Sequence, residues 1–395
     1  MKVKGFTAAA VEAGIRYKNR LDLGLIHSEV PAIASGVFTT NKVKAAPVLL
    51  DMERLRQGKA QTIVVNSGIA NACTGEQGMR AAVGMSKVIA EQLGINENMV
   101  QVASTGVIGA QLNVDPIEKA APELVGKLSP EGFATVAQAI MTTDTVPKTC
   151  ERTVEIGGRE VSFFGMAKGA GIIMPDMATM LCFVVTDAQI AYSELRAILS
   201  ETVNKTFNRI TVDGDTSTND TVLVLANGMA GNKWIDEEYP EGMKIFASVL
   251  EEICRDLALK IVADGEGATK VVTVKVVGAQ EQEDAVSAAR TIANSALVKT
   301  AFFGEDPNWG RIIAALGRSE CRFSSDKVSL YFDDVQVMEN GMGLSGEEVE
   351  RRAKKIMQKD KFTVLVELQE GLAESEVHCC DFSVDYVKIN ADYRS

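Results

Sequence analysis

The chain has 395 residues, 46% hydrophobic and 24% charged, with 33 glycines; this is a globular composition with length for roughly two or three domains. Its 41 Lys and Arg against 53 Asp and Glu leave a formal charge of −12, and without a basic stripe nucleic acid is excluded as an expected partner. No apolar run approaches the roughly 18 residues of a membrane helix. The opening segment is soon interrupted by Glu12, Arg16, Lys18 and Arg20, so no membrane partner and no secretory leader are expected, and the expected location is cytoplasmic.

In chain order, "AQTIVVNSG" (60–68) predicts a buried strand ending in a turn, and 77–94 a helix closed by Gly94. "MVQVASTGVIG" (99–109) reads as a strand running into a glycine-rich loop, and 130–144 as a helix up to its threonines. The continuous apolar run "TMLCFVVTD", from residue 179, predicts a fully buried strand. A helix over 193–207 and a strand over 221–228 follow. The 244–262 segment puts Phe246, Leu250, Ile253, Leu257 and Ile261 on one helical face. Val272, Val274 and Val276 alternate with Thr273 and Lys275, which predicts a strand over 269–278 with one wetter side. A helix over 284–298, a strand over 327–334, a helix over 345–358 and a strand over 362–368 complete the series. Interleaved strands and helices predict an α/β fold of layered mixed sheets, with strand order unreadable.

The chemistry is bounded by what is scarce. Only His27 and His378 exist, each alone in its neighbourhood, which argues against Ser-His-Asp, Cys-His and His-rich zinc chemistry. Seven cysteines, an odd count without C-x-x-C spacing, read as reduced thiols, and the adjacent Cys379 and Cys380 as buried thiols rather than a redox pair. "DGDTSTNDT" (213–221) lacks calcium-loop spacing, and no G-x-x-x-x-G-K-[ST] appears. No metal and no cofactor are expected.

Thr179 stands between Ala178 and that apolar run, after "KGAGII" with Gly169 and Gly171. It is either an ordinary β-former or a nucleophile. A hydroxyl needs a base, and an N-terminal threonine carries one in its own α-amine, whose ordinary pKa of roughly 7.7–8 suits that work. Thr179 is internal, so this reading requires Oγ to attack the Ala178 carbonyl and water to open the resulting ester. The glycines admit backbone conformations in which strain is held, and branching at Cβ helps aim Oγ.

"KGAGIIMPDMATML" resembles the processing segment of the ornithine acetyltransferase (glutamate N-acetyltransferase) family of arginine biosynthesis. "SGVFTTNKVKAAPV", "NSGIANACTGEQG", "STGVIG", "MTTDTVPK", "FNRITVDGDTSTNDT", "ADGEGATK", "FFGEDPNWGRIIAALG" and the terminal "INADYRS" match in family order over essentially the whole chain. The resemblance implies the self-processing fold shared with DmpA-like aminopeptidases. It also implies self-cleavage between Ala178 and Thr179 into an α chain (1–178) and a β chain (179–395), which fold together. The expected C-terminal subdomain spans about 280–395.

Thr179 would then carry an acetyl group from N2-acetylornithine to L-glutamate in two half-reactions. Acetyl-CoA as a second donor, making the enzyme bifunctional, is left open. Thr105 and Gly106 correspond to the oxyanion hole. Thr145, Lys168, Glu266, Asn390 and Ser395 match substrate-binding positions alongside Thr179, and α2β2 assemblies are implied. Asp176 stands where the family often has asparagine, and Ser395 where it commonly has threonine. A self-processing aminopeptidase or amidase, passing the acyl group to water, is the alternative, and an uncut binding protein the third reading.

Overall fold

A computed structural model of the chain describes residues 2–174 and 180–391. Asp176, Ala178, Thr179 and Ser395 therefore lie outside the described residues. The chain divides into two compact units. The first comprises Met1–Gly169, Asp176–Asn208 and Thr216–Ile261, and the second Ala170–Pro175, Arg209–Asp215 and Val262–Ser395.

In chain order the strands of the first unit are β1 (Phe6–Val11), β2 (Leu23–Phe38), β3 (Lys59–Ile69), β4 (Val100–Val107), β5 (Lys148–Ile156), β6 (Arg159–Lys168) and β7 (Leu181–Thr186). After β8 (Ile210–Thr211), which belongs to the second unit, comes β9 (Thr221–Ala226). They form one sheet in the order β4-β3-β2-β9-β7-β6-β5, with β1 also on β2. The β3–β4 and β7–β9 pairs are parallel and the others antiparallel.

Both faces of this sheet are covered, so β3 is buried without alternation from Ala60 to Ile69. Its Ile63 and Val65 pack with Phe133 and Val136 of the helix Phe133–Ala139. Val64 packs on the other face with Met85 and Ile89 of the helix Gly75–Leu93. That helix ends at Gly94, whose φ of 66° is the left-handed stop expected from sequence. All five apolar residues expected on one face of 244–262 are buried in the helix Pro240–Ala263, and the Phe246 ring lies 5.3 Å from that of Phe163 on β6.

The second unit carries β8 and, in chain order, β10 (Val271–Ala279), β11 (Ser329–Phe332), β12 (Val335–Glu339), β13 (Met342–Gly343), β14 (Lys361–Glu367) and β15 (Ala373–Cys380). They form a mixed sheet in the order β13-β12-β11-β14-β10-β15-β8. Val272, Val274 and Val276 face Ala285, Ala289 and Ile292 in its core. Both units are thus layered α/β with mixed sheets, as the alternation of elements predicts.

Two expected helices differ from those observed. The 284–298 segment is two helices, Gln282–Ala293 and Ala296–Phe303, because Ser295 caps the second by accepting from Val298 N at 3.4 Å. The 130–144 helix is only Phe133–Ala139. Among the described residues, no helix is long and apolar enough to cross a membrane.

Candidate active site

The first unit brings Thr105 and Lys168 together. β4 ends in Ser104, Thr105 and Gly106, lying parallel to Asn66, Ser67 and Gly68 of β3. Ser104 Oγ donates to Asn66 Oδ1 at 2.6 Å, and Asn219 Nδ2 donates to the carbonyls of Ala70 and Ser104 at 2.6 and 2.9 Å. These buried bonds fix the strand end on both sides. Gly106 has φ +132°, and a Cβ there would lie 2.2 Å from the Gly68 carbonyl carbon. Only glycine fits that close approach.

Lys168, the last residue of β6, is buried, and its Nζ donates to Thr105 Oγ1 at 3.1 Å. With Oγ1 accepting from an ammonium, the Thr105 O–H is left to donate elsewhere. Positive charge and a fixed hydroxyl donor beside a glycine turn are suited to an oxygen that gains negative charge.

Thr145 is exposed in the loop between the helix Phe133–Ala139 and β5, one residue after the buried Asp144. Asp144 Oδ1 accepts from Lys148 Nζ at 2.6 Å and from Gly169 N at 2.7 Å, while Oδ2 accepts from Thr142 N at 3.1 Å. Burial pushes this carboxyl's pKa up, but the Lys168 and Lys148 ammoniums and these hydrogen bonds outweigh it and hold it at about 2. Asp144 and Lys148 escape the sequence reading, because outside a helix their i,i+4 spacing carries no pairing signal.

Asp220 is a second buried carboxyl that the sequence reading does not single out. Its Oδ1 accepts from Met180 N at 3.0 Å, so it holds the start of β7. Burial pushes its pKa well up against the pull of the Met180 amide, Thr39 and Lys168. Nothing in its local sequence separates it from the aspartates at 213 and 215.

The second unit brings Glu266 and Asn390 together. Asn390 Nδ2 donates to Glu266 Oε2 at 2.8 Å, and Glu266 N donates to the Ala170 carbonyl at 2.8 Å. A Cβ on Gly171 would lie 2.5 Å from Glu266 Oε2, so this glycine leaves the carboxylate its space. Asp213, from the three-aspartate loop, accepts from Ile172 N and Ile173 N at 2.6 and 2.9 Å. It acts there as a backbone clamp.

Both histidines serve as cross-strand partners. His27 Nδ1 lies 2.8 Å from Thr62 Oγ1 on β3, and His378 Nδ1 lies 3.0 Å from Thr273 Oγ1 on β10. Cys379 and Cys380 are buried, and burial pushes the Cys379 thiol up to about 12, far from a reactive thiolate.

Taken with the mixed α/β layers, the buried Lys168 ammonium beside Thr105 and the Gly106 turn are suited to binding an oxygen that bears or gains negative charge. Comparison with known proteins narrows this reading. The model of the ArgJ family matches residues 7–395. The chain is 55% identical over 395 residues to the arginine biosynthesis bifunctional protein ArgJ of Desulfotalea psychrophila, covering 100% of both chains. It is 51% identical to the protein of that name from Geobacter sulfurreducens, again over 100% of both. The crystal structure of the Bacillus halodurans bifunctional protein ArgJ is 41% identical with a TM-score of 0.51, and covers 53% of this chain and 97% of its own. The chain belongs to the ArgJ family.

Proposed function

We propose that the chain is a glutamate N-acetyltransferase of arginine biosynthesis that moves acetyl from N2-acetylornithine to L-glutamate through an ester on Thr179. The observation that carries this reading is family membership over residues 7–395, with relatives about half identical along their whole length. These relatives are called bifunctional, which supports acetyl-CoA as a second acetyl donor.

Thr179 Oγ attacks the acetyl carbonyl while the Thr179 α-amine takes its proton. Negative charge on the carbonyl oxygen is received by Thr105 and the Gly106 amide. Collapse breaks the C–N bond, and the α-amine's proton goes to the departing ornithine nitrogen. Glutamate's amine then attacks the ester, and the threonine hydroxyl is restored as N-acetylglutamate leaves. One amide is broken and one is made, so the transfer is nearly balanced in energy. Lys168 suits a substrate α-carboxylate and Thr145 adds a hydroxyl, while Glu266, Asn390 and Ser395 are further substrate-binding positions on the family resemblance.

A free α-amine at Thr179 requires cleavage after Ala178. The Bacillus halodurans chain supports this, because 53% of the present chain is the size of piece that such a cut leaves. The products are an α chain of 1–178 and a β chain of 179–395, pairing as α2β2 in the cytoplasm with no resident cofactor. The test incubates the protein with N2-acetylornithine, with and without glutamate. Transfer predicts acetylglutamate formation and little free acetate. Equal acetate release in both arms would support the amidase alternative.

A further inference from the structure

The first unit contains a buried ion pair that the transfer steps leave unused. Asp144 and Lys148 side chains are 0% and 1% exposed, and their charged atoms are 2.6 Å apart. Burying an ion pair costs desolvation of both charges, so such a pair adds little stability over apolar residues of the same volume. Its position in the site gives it a different use.

We propose that Asp144 is a positioning residue for the transfer reaction: it ties the Thr145 loop to the end of β6 and sets the Lys168 ammonium against Thr105. Three observations carry this. Asp144 Oδ1 accepts from Gly169 N at 2.7 Å, and Gly169 directly follows Lys168. Asp144 Oδ2 accepts from Thr142 N at 3.1 Å, so one carboxylate holds both the Thr145-bearing loop and the turn after Lys168. Lys168 in turn reaches Thr105 Oγ1 at 3.1 Å. Gly169 has φ +152°, a backbone geometry that favours glycine, and in it the Gly169 amide is turned onto the Asp144 carboxylate.

Lys148 has the complementary task. It shares Oδ1 with the Gly169 amide and so orients the carboxylate. It also stands at the first position of β5, beside Ala167 of β6. Electrostatics agrees, since Asp144 is held at about 2 against its burial by both lysines. Thr145 and Lys168 are thus fixed from one point, and small movements at such a point are amplified in reaction rate.

The inference rests on the reading of Lys168 as a substrate-binding residue, and the experiment separates the two. Asp144→Asn, Lys148→Met, the double variant and Lys168→Ala are compared by melting temperature and by KM and kcat for N2-acetylornithine. Asp144→Asn strands the Lys148 charge, so both stability and substrate affinity fall, with KM raised tenfold or more. The double variant removes both charges and recovers the melting temperature, yet KM stays raised because the carboxylate facing Lys168 is gone. It also carries the test should Asp144→Asn fail to fold. A double variant with wild-type KM and kcat overturns the inference and leaves the pair purely structural. Wild-type KM in Lys168→Ala overturns the underlying reading instead.

Discussion

A methyl group at position 106 would lie 2.2 Å from the Gly68 carbonyl carbon, in a residue with φ +132°. Gly106→Ala therefore shifts β4 away from β3 or bends the donor out of line. The expected loss is roughly 100-fold in kcat, the scale of one oxyanion donor, with about 1–3 kcal/mol of stability from the strained backbone. Steady-state kinetics and thermal unfolding check both, and unchanged kcat would remove Gly106 from the site. At this scale Gly106 and Lys168 stand out only through the family resemblance, since a glycine turn after a strand and a loop lysine are ordinary by themselves. Asp144 was not legible, because its bond to Gly169 N spans 25 positions and only the folded sheet brings the two together.

At the scale of elements, the helix Ala46–Arg54 is docked on β4 through Asp51, whose Oδ1 accepts from Val102 N at 2.9 Å. Among the described residues its Oδ2 has no hydrogen-bond partner. Burial pushes this carboxyl well up, against the Val102 amide and Arg54. An unfolded aspartate ionises near pH 4, so a raised folded pKa makes stability fall as pH rises from about 4 through the folded value. Asp51→Asn keeps the acceptor for Val102 and removes that cost. The variant is expected to be more stable than wild type at pH 8 and no more stable at pH 4, read by denaturant melts at both; equal effects at both would contradict it.

The split helix after Glu281 offers a second element-scale test. Ser295→Ala removes the cap of Ala296–Phe303 and should cost about 1 kcal/mol. That break was readable in "ANSA", since a serine between two apolar runs is a capping signal, but the apolar period across it looked continuous. β7 was legible because burial on both faces demands an unbroken apolar run, and β3 was legible through its apolar centre of Ile63, Val64 and Val65. β2 was not: its 16 residues include Glu29 to Pro31, and its register with β3 shifts between His27 and Ala32.

At the scale of the whole chain, strand order depends on contacts far apart in sequence, which periodicity does not encode. β9 lies between β2 and β7, parallel to β7, and no local pattern announces that neighbour. Acid behaviour also belongs here. Asp144 has a folded pKa of about 2, below its unfolded value near 4. Its contribution is therefore full above about pH 4 and is lost as pH falls toward 2. Acid titration followed by circular dichroism should show that loss in wild type, and a smaller one in the Asp144→Asn/Lys148→Met chain.

The central claim is an acetyl group carried on Thr179. Mass spectrometry of protein mixed with N2-acetylornithine, and no glutamate, tests it most directly. The account predicts a fragment that begins at Thr179, one acetyl group heavier, and that loses the addition when glutamate is supplied. An unmodified fragment in an enzyme that turns over, an acetyl on another residue, or an active chain uncut before Thr179 would contradict it.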